Sequence, residues 1–313
     1  MTPVRVAVVR ATAFTIINDI AMAMKLAGFP QSFASGAPVL ISRRVGWPRV
    51  DFPGANTAAW HYHAVSSALA GQGFGNLSAT DLPRGFPAVD RAFGIVSRPV
   101  GVPAGHNLVG LPGLGGHRVL GVDGALACLA QAWGIAPTGP RQMVEALGKA
   151  RECCAGMFFV MDATTAGSGP GPRVRAPVVK DLVLAGADPA ALDAVAAALM
   201  GFEPRTMPVL ARVKEHGLGV TDLSDIEIVG DVDASRERWD FIDPRPAGIE
   251  KLSDVLLLRT LRRAWEEMVW APLVAKRRMD DWMRHTEWGG LATRYREACP
   301  NLPVFPTVRT DLP

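Results

Sequence analysis

An aspartate and a run of glycines follow one of the most apolar strands that the sequence predicts. Residues 157–161 read MFFVM, and residues 161–173 read MDATTAGSGPGPR. Open α/β sheets bind ligands at the carboxyl ends of their strands, so Asp162 is a candidate for proton transfer. Glycine N–H groups can approach an anion closely, and an arginine can pair with it. We therefore predict a small-anion site in a Gly/Pro loop over residues 162–173, with the ligand-binding residues Thr164, Gly167, Gly169, Gly171 and Arg173.

Two familiar nucleotide-binding patterns are excluded for this segment. It lacks the Gly-Lys-Ser/Thr ending of a P-loop. Pro170 and Pro172 also prevent a helix from starting where a dinucleotide fingerprint needs one. A rigid turn between two strands is the alternative explanation of the same glycines and prolines.

The start of a helix predicted over residues 57–69 offers a second contact for an anion. Asn56 and Thr57 lie there, and a helix N-terminus attracts anions. Both residue types also cap helices without any ligand. Arg43 and Arg44 follow a strand predicted over residues 38–42 and could supply positive charge. We predict that all four residues bind the ligand, with capping as the alternative for Asn56 and Thr57.

His117 is the second candidate for proton transfer. It follows Gly115 and Gly116 on a loop after the strand predicted over residues 107–111. His61 and His63 are two residues apart, which places them on different faces of a helix and makes them poor ligands for one metal.

Three aspartates form a candidate metal site. Asp188 precedes Pro189, an arrangement that caps a helix, and Asp193 lies about one turn later. Asp162 with Asp188 or Asp193 could hold a divalent metal if their side chains face one cleft. Helix capping and solvent exposure are the alternatives for Asp188 and Asp193.

The four cysteines argue against a bound cluster. Cys128, Cys153, Cys154 and Cys299 contain no Cys-x-x-Cys pair. We therefore expect no iron–sulfur cluster, structural zinc site or disulfide framework.

The composition indicates a folded protein without nucleic-acid or membrane-spanning character. The 313 residues are 49% apolar and 20% charged, with a net charge of +3. Such a weak charge, without basic runs, argues against nucleic-acid binding. No stretch approaches the roughly 20 apolar residues that span a bilayer, and the N-terminus lacks the features of a signal peptide. We predict a cytoplasmic protein with no transmembrane segment.

Strand and helix patterns alternate along most of the chain. Strands are predicted over residues 77–80 and 178–185, among others, and helices over residues 121–133 and 189–200. This alternation predicts an α/β fold with a mostly parallel sheet flanked by helices. We expect a core over residues 1–243, divided into two lobes near residues 134–140 if it is divided at all, and a helical extension over residues 244–313. Within the extension, residues 252–296 place Arg and Trp around an apolar stripe. This stripe could contact a second copy, a related subunit or a membrane surface.

Three C-terminal segments carry a family resemblance. They are residues 161–173, residues 184–204 (LAGADPAALDAVAAALMGFEP) and residues 215–231 (EHGLGVTDLSDIEIVGD). With MRHTEWGGL at residues 283–291, they resemble the domain of unknown function 362 family. The family commonly carries Lys-x-Lys-Thr-His where residues 112–117 read PGLGGH, so His117 remains and both lysines are missing. Members with an inserted ferredoxin-like segment also exist, and this chain has no such cysteines. The resemblance implies either a changed substrate or a lost activity.

These features support three hypotheses of function. The first is an enzyme, or a protein derived from one, that binds a small anionic molecule in a cleft formed by the 162–173 loop, Asn56, Thr57 and His117. The second is a non-catalytic paralogue that serves as a scaffold or partner subunit through residues 252–296. The third is a peripheral membrane protein that uses the same segment.

Overall fold

The computed structural model describes residues 3–46, 54–80, 86–169, 171, 175–241 and 264–297. Several predictions therefore lie outside the described residues. They concern Arg173 with its neighbours Pro170 and Pro172, Cys299, and the parts of the extension before residue 264 and after residue 297.

Within the described residues, ten strands form one mixed sheet. They are β1 (Val4–Arg10), β2 (Val39–Arg43), β3 (Leu77–Thr80), β4 (Val96–Arg98), β5 (Asn107–Leu111), β6 (Gly113–His117), β7 (Gly121–Asp123), β8 (Gly156–Ser168), β9 (Ala176–Gly186) and β10 (Ile226–Gly230). The strand order is β10-β1-β9-β8-β5-β2-β3-β4, and β6 joins β8 and β7 off this path. Along the path only β9 runs antiparallel to its neighbours. The predicted α/β fold with a mostly parallel sheet is confirmed.

Helices cover the sheet. They are α1 (Ile16–Leu26), α2 (Ala59–Gly71), α3 (Pro87–Phe93), α4 (Ala125–Ala132), α5 (Pro140–Cys153), α6 (Pro189–Met200), α7 (Pro208–Glu215), α8 (Val232–Ser235), α9 (Lys276–His285) and α10 (Glu287–Glu297), with a π-helical segment at Glu266–Ala275. The strands read as continuous apolar runs because both faces of the sheet are covered. Along β1, Val6 and Val8 join the apolar cluster of α4–α7, whereas Ala7 and Val9 join that of α1 and α2.

Two predicted boundaries were wrong. The Gly/Pro loop predicted from residue 162 begins later, because β8 continues through Ser168 and pairs with β9 as far as Ala176. This hairpin satisfies the backbone hydrogen bonds of residues that the glycines had suggested were loop. The helix predicted from residue 121 begins at Ala125, because Gly121–Asp123 forms strand β7.

The predicted C-terminal helices are present. Helices α9 and α10 bury Met279, Trp282, Trp288, Leu291 and Tyr295 in the same apolar cluster as α1 and α2. The lobe boundary predicted near residues 134–140 falls between α4 and α5, and the division into domains stays a prediction. Among the described residues, no helix has both the length and the apolar character needed to cross a membrane.

Candidate functional site

The candidate site lies where β2 and β5 end, beside the middle of the longer strand β8. Arg43 ends β2 and pairs with Leu111 at the end of β5, while Asp162 on β8 pairs with Gly113 on β6. The topology thus brings Arg43, Arg44 and Asp162 close to the edge of the sheet where β2 and β5 end. All three residues are buried, with Asp162 only 1% exposed.

Both carboxylate oxygens of Asp162 are bonded within the chain. Its Oδ1 accepts hydrogen bonds from the Thr164 backbone N at 2.9 Å and the Thr164 Oγ1 at 2.6 Å. Its Oδ2 accepts a hydrogen bond from the Trp60 Nε1 at 3.1 Å. Burial raises the pKa of Asp162, and these hydrogen bonds oppose the rise. The two predicted ligand residues Asp162 and Thr164 therefore contact each other.

Aromatic side chains of α10 cover the Trp60 ring that bonds Asp162. The ring centroids of Trp60 and Trp288 lie 5.9 Å apart, and those of Trp60 and Tyr295 lie 6.4 Å apart. The Tyr295 hydroxyl and the His63 Nδ1 share a hydrogen bond of 2.8 Å. Helix α10 thus packs on α2 next to the Trp60 ring, whose N–H bonds Asp162.

Two indole N–H groups attach the same C-terminal helices to the central hairpin. The Trp282 Nε1 donates to the Thr165 Oγ1 at 3.1 Å, on β8. The Trp288 Nε1 donates to the Asp181 Oδ1 at 2.7 Å, on β9. Asp181 has a positive φ of 54°, a conformation that is uncommon for a non-glycine residue. The carboxyl edge beside Asp162 is therefore filled by the chain itself.

A buried ion cluster lies on the other side of the edge. Asp123 accepts hydrogen bonds from Arg44 at 2.8 Å and from Arg175 at 2.7 Å. All three side chains are at most 6% exposed. Burial alone would disfavour the Asp123 carboxylate, but the two guanidinium groups hold the pKa of Asp123 below its usual value. The cluster thus stays ionised, with two cations around one anion.

The sequence did not identify Arg175, although it follows the glycine run. Its Nε donates to the Gly116 carbonyl oxygen at 2.8 Å, and a second guanidinium nitrogen bonds the Gly54 carbonyl oxygen. A Cβ on Gly115 would lie 2.7 Å from the Arg175 Cζ, and a Cβ on Gly167 would lie 2.5 Å from its Cδ. These glycines therefore make room for an arginine of the same chain. No spacing rule distinguished Arg175 from Arg173.

The other predicted glycines lie at the end of the β8–β9 hairpin. Gly169 follows β8 with φ of 112°, a left-handed conformation that favours glycine. A Cβ on Gly171 would collide with the Arg175 side chain. Gly171 thus serves the same packing role as Gly115 and Gly167.

Arg43 and Arg44 are both engaged inside the fold. The Arg43 Nη2 donates to the Thr80 carbonyl oxygen at 2.6 Å, and its guanidinium carbon lies 5.3 Å from the ring centroid of Tyr62. Beyond Asp123, the Arg44 Nη1 donates to the Gln131 Oε1 at 3.0 Å. Arg43 and Arg44 thus both have hydrogen-bond partners within the chain.

Asn56 and Thr57 precede α2 but do not cap it. The helix begins at Ala59 after Ala58, and no side chain caps its N-terminus. The Thr57 hydroxyl donates to the Leu111 carbonyl oxygen at 2.6 Å and accepts from the Arg44 backbone N at 2.7 Å. The Asn56 Oδ1 accepts from the Gly46 backbone N at 3.0 Å. Thr57 therefore ties the ends of β2 and β5 together.

His117 closes the turn between β6 and β7. Its Nδ1 accepts hydrogen bonds from the backbone N–H groups of Val119 and Leu120, both at 3.2 Å. Burial lowers the pKa of His117 to about 4, with Asp123 acting in the opposite direction. The imidazole is therefore neutral at pH 7 and carries its proton on Nε2, since Nδ1 is an acceptor.

The two other predicted metal ligands bond helix N-termini. Asp188 caps α6 by accepting hydrogen bonds from Ala190 N at 2.8 Å and Ala191 N at 3.3 Å, as the alternative interpretation predicted. The Asp193 oxygens accept from Ala125 N at 2.6 Å and Leu126 N at 3.0 Å, at the start of α4. In the part of the chain that the structure describes, no three or more His, Cys, Asp or Glu residues are grouped as metal ligands. A divalent metal on Asp162 with Asp188 or Asp193 stays a prediction.

Asp193 is expected to make stability depend on pH. Burial raises its pKa to about 7, against the effect of its two amide hydrogen bonds. An unfolded aspartate has a pKa of about 3.9, so the folded chain binds this proton more tightly. The contribution of Asp193 to stability is therefore complete below about pH 4 and is lost as the pH rises to about 7. The loss is at most about 1.4 kcal/mol per pH unit.

Urea unfolding between pH 4 and pH 8 measures this effect. The Asp193→Asn variant is expected to show a smaller fall in the free energy of unfolding over this range than the unmodified chain. Asp233→Asn is the control, since the Asp233 side chain is 98% exposed. Equal slopes for Asp193→Asn and the unmodified chain would contradict the raised pKa.

The geometry defines an α/β protein whose carboxyl edge is occupied by an internal ion cluster and by aromatic side chains of its own C-terminal helices. Residues 52–198 match the model of the family described as Domain of unknown function (DUF362), so the chain contains a DUF362-like domain. This match confirms the predicted resemblance. No curated protein and no solved structure matches the chain. The matched region includes Asp123, Asp162 and Arg175 and ends before α9 and α10.

Proposed function

We propose that this chain is a non-catalytic binding protein whose carboxyl edge is closed by its own side chains. The state of Asp162 carries the proposal, because both of its oxygens accept internal hydrogen bonds and the residue is 1% exposed. A carboxylate that transfers a proton needs an oxygen within hydrogen-bond reach of the substrate. In this chain Trp60 and Thr164 donate hydrogen bonds to the Asp162 oxygens where a substrate would have to bind.

The aromatic cover supports the same proposal. Trp282 and Trp288 each combine a buried ring with a hydrogen bond to the β8–β9 hairpin. A fully buried large apolar side chain typically contributes about 1.5–3 kcal/mol to stability. The closed arrangement is therefore favoured over one in which the C-terminal helices move away. Residues 112–117 lack the two lysines that the resembling family commonly carries there. Their absence agrees with the lost activity that the resemblance allows.

A second candidate function is the binding of a small anion beside Arg44, Asp123 and Arg175. It is favoured by one observation, namely that two buried guanidinium groups share a single carboxylate. Phosphate, sulfate and carboxylate ligands would all suit such a pair of cations. Here His117 would act as a neutral donor through Nε2.

Native mass spectrometry and thermal unfolding of the full chain distinguish the two candidates. The closed-edge proposal predicts no retained small molecule and no saturable rise of Tm in phosphate, sulfate or acetate, beyond the general stabilisation that excluded salts give any folded protein. A ligand present at 100 times its Kd would stabilise the chain by about 2.7 kcal/mol and raise Tm saturably. Such a rise, specific for one anion and lost in Arg44→Lys, would overturn the closed-edge proposal in favour of the second candidate.

A further inference from the structure

The π-helical segment Glu266–Ala275 and the residue before it carry a cluster of exposed apolar side chains. Trp265 is 50% exposed, Met268 76% and Leu273 64%, and Val269 is also exposed. These are four of the eleven exposed large apolar side chains in the described part of the chain, and they lie within nine residues. Scattered apolar residues on a surface are ordinary, but a contiguous group marks an interaction site.

Positive charge follows this apolar cluster directly. Lys276, Arg277 and Arg278 are consecutive and exposed at the start of α9. The Arg278 guanidinium lies 5.2 Å from the ring centroid of Trp270, which holds the basic group against the apolar segment. The three cations thus lie at the carboxyl end of the segment, and Asp280 and Asp281 follow them in α9. We call Trp265, Met268, Val269, Leu273 and the three cations the outer patch.

We propose that the outer patch binds the surface of an anionic lipid bilayer. Exposed Trp, Met and Leu side chains enter the boundary between headgroups and acyl chains, while Lys and Arg contact anionic headgroups. Each Lys or Arg near such a surface contributes about 1 kcal/mol of attraction. The net charge of +3 does not oppose this approach. The inference rests on the proposed function, because it names the surface that a non-catalytic binding protein would contact.

The burial of the residues that follow the outer patch supports its assignment as a lipid-binding surface. Met279 and Trp282 are buried against the core, so the outer patch ends where α9 begins to pack on the protein. The C-terminal helices would therefore lie along the bilayer surface, and no part of them needs to cross it. An interfacial segment of this kind requires only its exposed face to be apolar.

Vesicle flotation with the full chain tests the inference. Vesicles of phosphatidylglycerol and phosphatidylcholine in equal parts are expected to bind the protein, whereas vesicles of phosphatidylcholine alone bind it much less. Binding should weaken as salt is added, because salt screens the exposed cations. The variant Lys276→Ser/Arg277→Ser/Arg278→Ser is expected to lower the partition coefficient about 100-fold, from three contributions of about 1 kcal/mol each. Met268→Ser/Leu273→Ser is also expected to weaken binding.

Matched controls use exposed residues elsewhere on the surface. Arg205, Arg212 and Lys214 have side chains that are 73%, 56% and 58% exposed, and their replacement by serine removes the same charge. Phe14, 81% exposed, is the apolar control. All of these side chains are solvent-accessible, so the variants are expected to fold, and circular dichroism checks this. Both controls should bind vesicles as the unmodified chain does.

The remaining outcomes overturn the inference. These are no binding to anionic vesicles, equal binding to both vesicle types, or equal losses in the controls. A dimer seen by light scattering and lost in Met268→Ser/Leu273→Ser, without vesicle binding, would assign the patch to a second copy instead. None of these results concerns Asp162, so the anion experiments on the carboxyl edge test the proposed function separately.

Discussion

Replacing Asp123 with alanine is expected to lower the free energy of unfolding by about 3–5 kcal/mol. The Asp123 carboxylate is 1% exposed and bonds both Arg44 and Arg175. Its removal leaves two guanidinium groups buried near each other without a counter-charge. A buried charge without a partner retains its full desolvation cost, which exceeds the loss of one surface ion pair. Urea unfolding followed by tryptophan fluorescence measures the change.

The double variant Asp123→Ala/Arg175→Met checks the physical reason. Removing one of the two uncompensated cations should recover part of the stability, so the double variant should be more stable than the sum of the single changes predicts. Glu215→Ala is the control, because it breaks the Arg212–Glu215 pair, whose side chains are 56% and 59% exposed. That change should cost less than about 1 kcal/mol. A similarly small cost for Asp123→Ala would contradict a buried, ionised cluster.

Much of the sheet could be predicted from the sequence because its strands are buried on both faces. The strand predicted over residues 77–80 and the helix predicted over residues 189–200 match β3 and α6 in their bounds. Such segments are decided by local apolar pattern and by caps such as Asp188. Strand β9 was predicted as a strand, but its antiparallel direction was not predicted. The direction follows from the hairpin that β9 forms with β8, and the pattern of a single strand does not reveal its pairing.

The chemistry of the site was harder to predict because its partners are distant in the chain. Asp162 and Trp60 are 102 residues apart, and Arg44 and Asp123 are 79 apart. Strand patterns placed Arg43 and Arg44 at the end of β2, but Asp162 lies within β8 and not at its end. The same reasoning could not tell whether Gly167 and Gly171 admit an anion or the side chain of Arg175. Both occupants need backbone without a Cβ, so the composition of the loop is identical in the two cases.

The C-terminal helices connect the two proposals. Their inward face supplies Trp282, Trp288 and Tyr295, which cover the carboxyl edge, whereas the preceding segment turns Trp265, Met268 and Leu273 outward. Aromatic residues of one stretch of sequence thus serve a core and a surface. The sequence predicted an amphipathic segment here but not which tryptophans face the protein, since that depends on where α9 meets α2 and the β8–β9 hairpin.

Replacing Trp288 with alanine is expected to lower the free energy of unfolding by about 3–5 kcal/mol. Trp288 is 2% exposed, contacts the Trp60 ring and donates to Asp181. The change leaves a cavity in the core, which is the main cost, and it removes the hydrogen bond to Asp181, whose carboxylate is exposed to water. Trp288→Phe keeps most of the ring and removes the indole N–H, so it should cost less, about 1–3 kcal/mol.

Trp265→Ala is the matched control, because this tryptophan is 50% exposed. Its effect on stability should stay near 0.5 kcal/mol, as for most surface substitutions. If Trp288→Ala were as mild as this control, the aromatic cover would not be a packed part of the core, and the closed-edge proposal would lose the support of that cover. The folded fraction of Trp288→Ala also allows a direct test of closure. Hydrogen exchange of the amides of residues 162–165 should accelerate in this variant, and phosphate binding that appears only there would mean that the cover conceals a competent anion site.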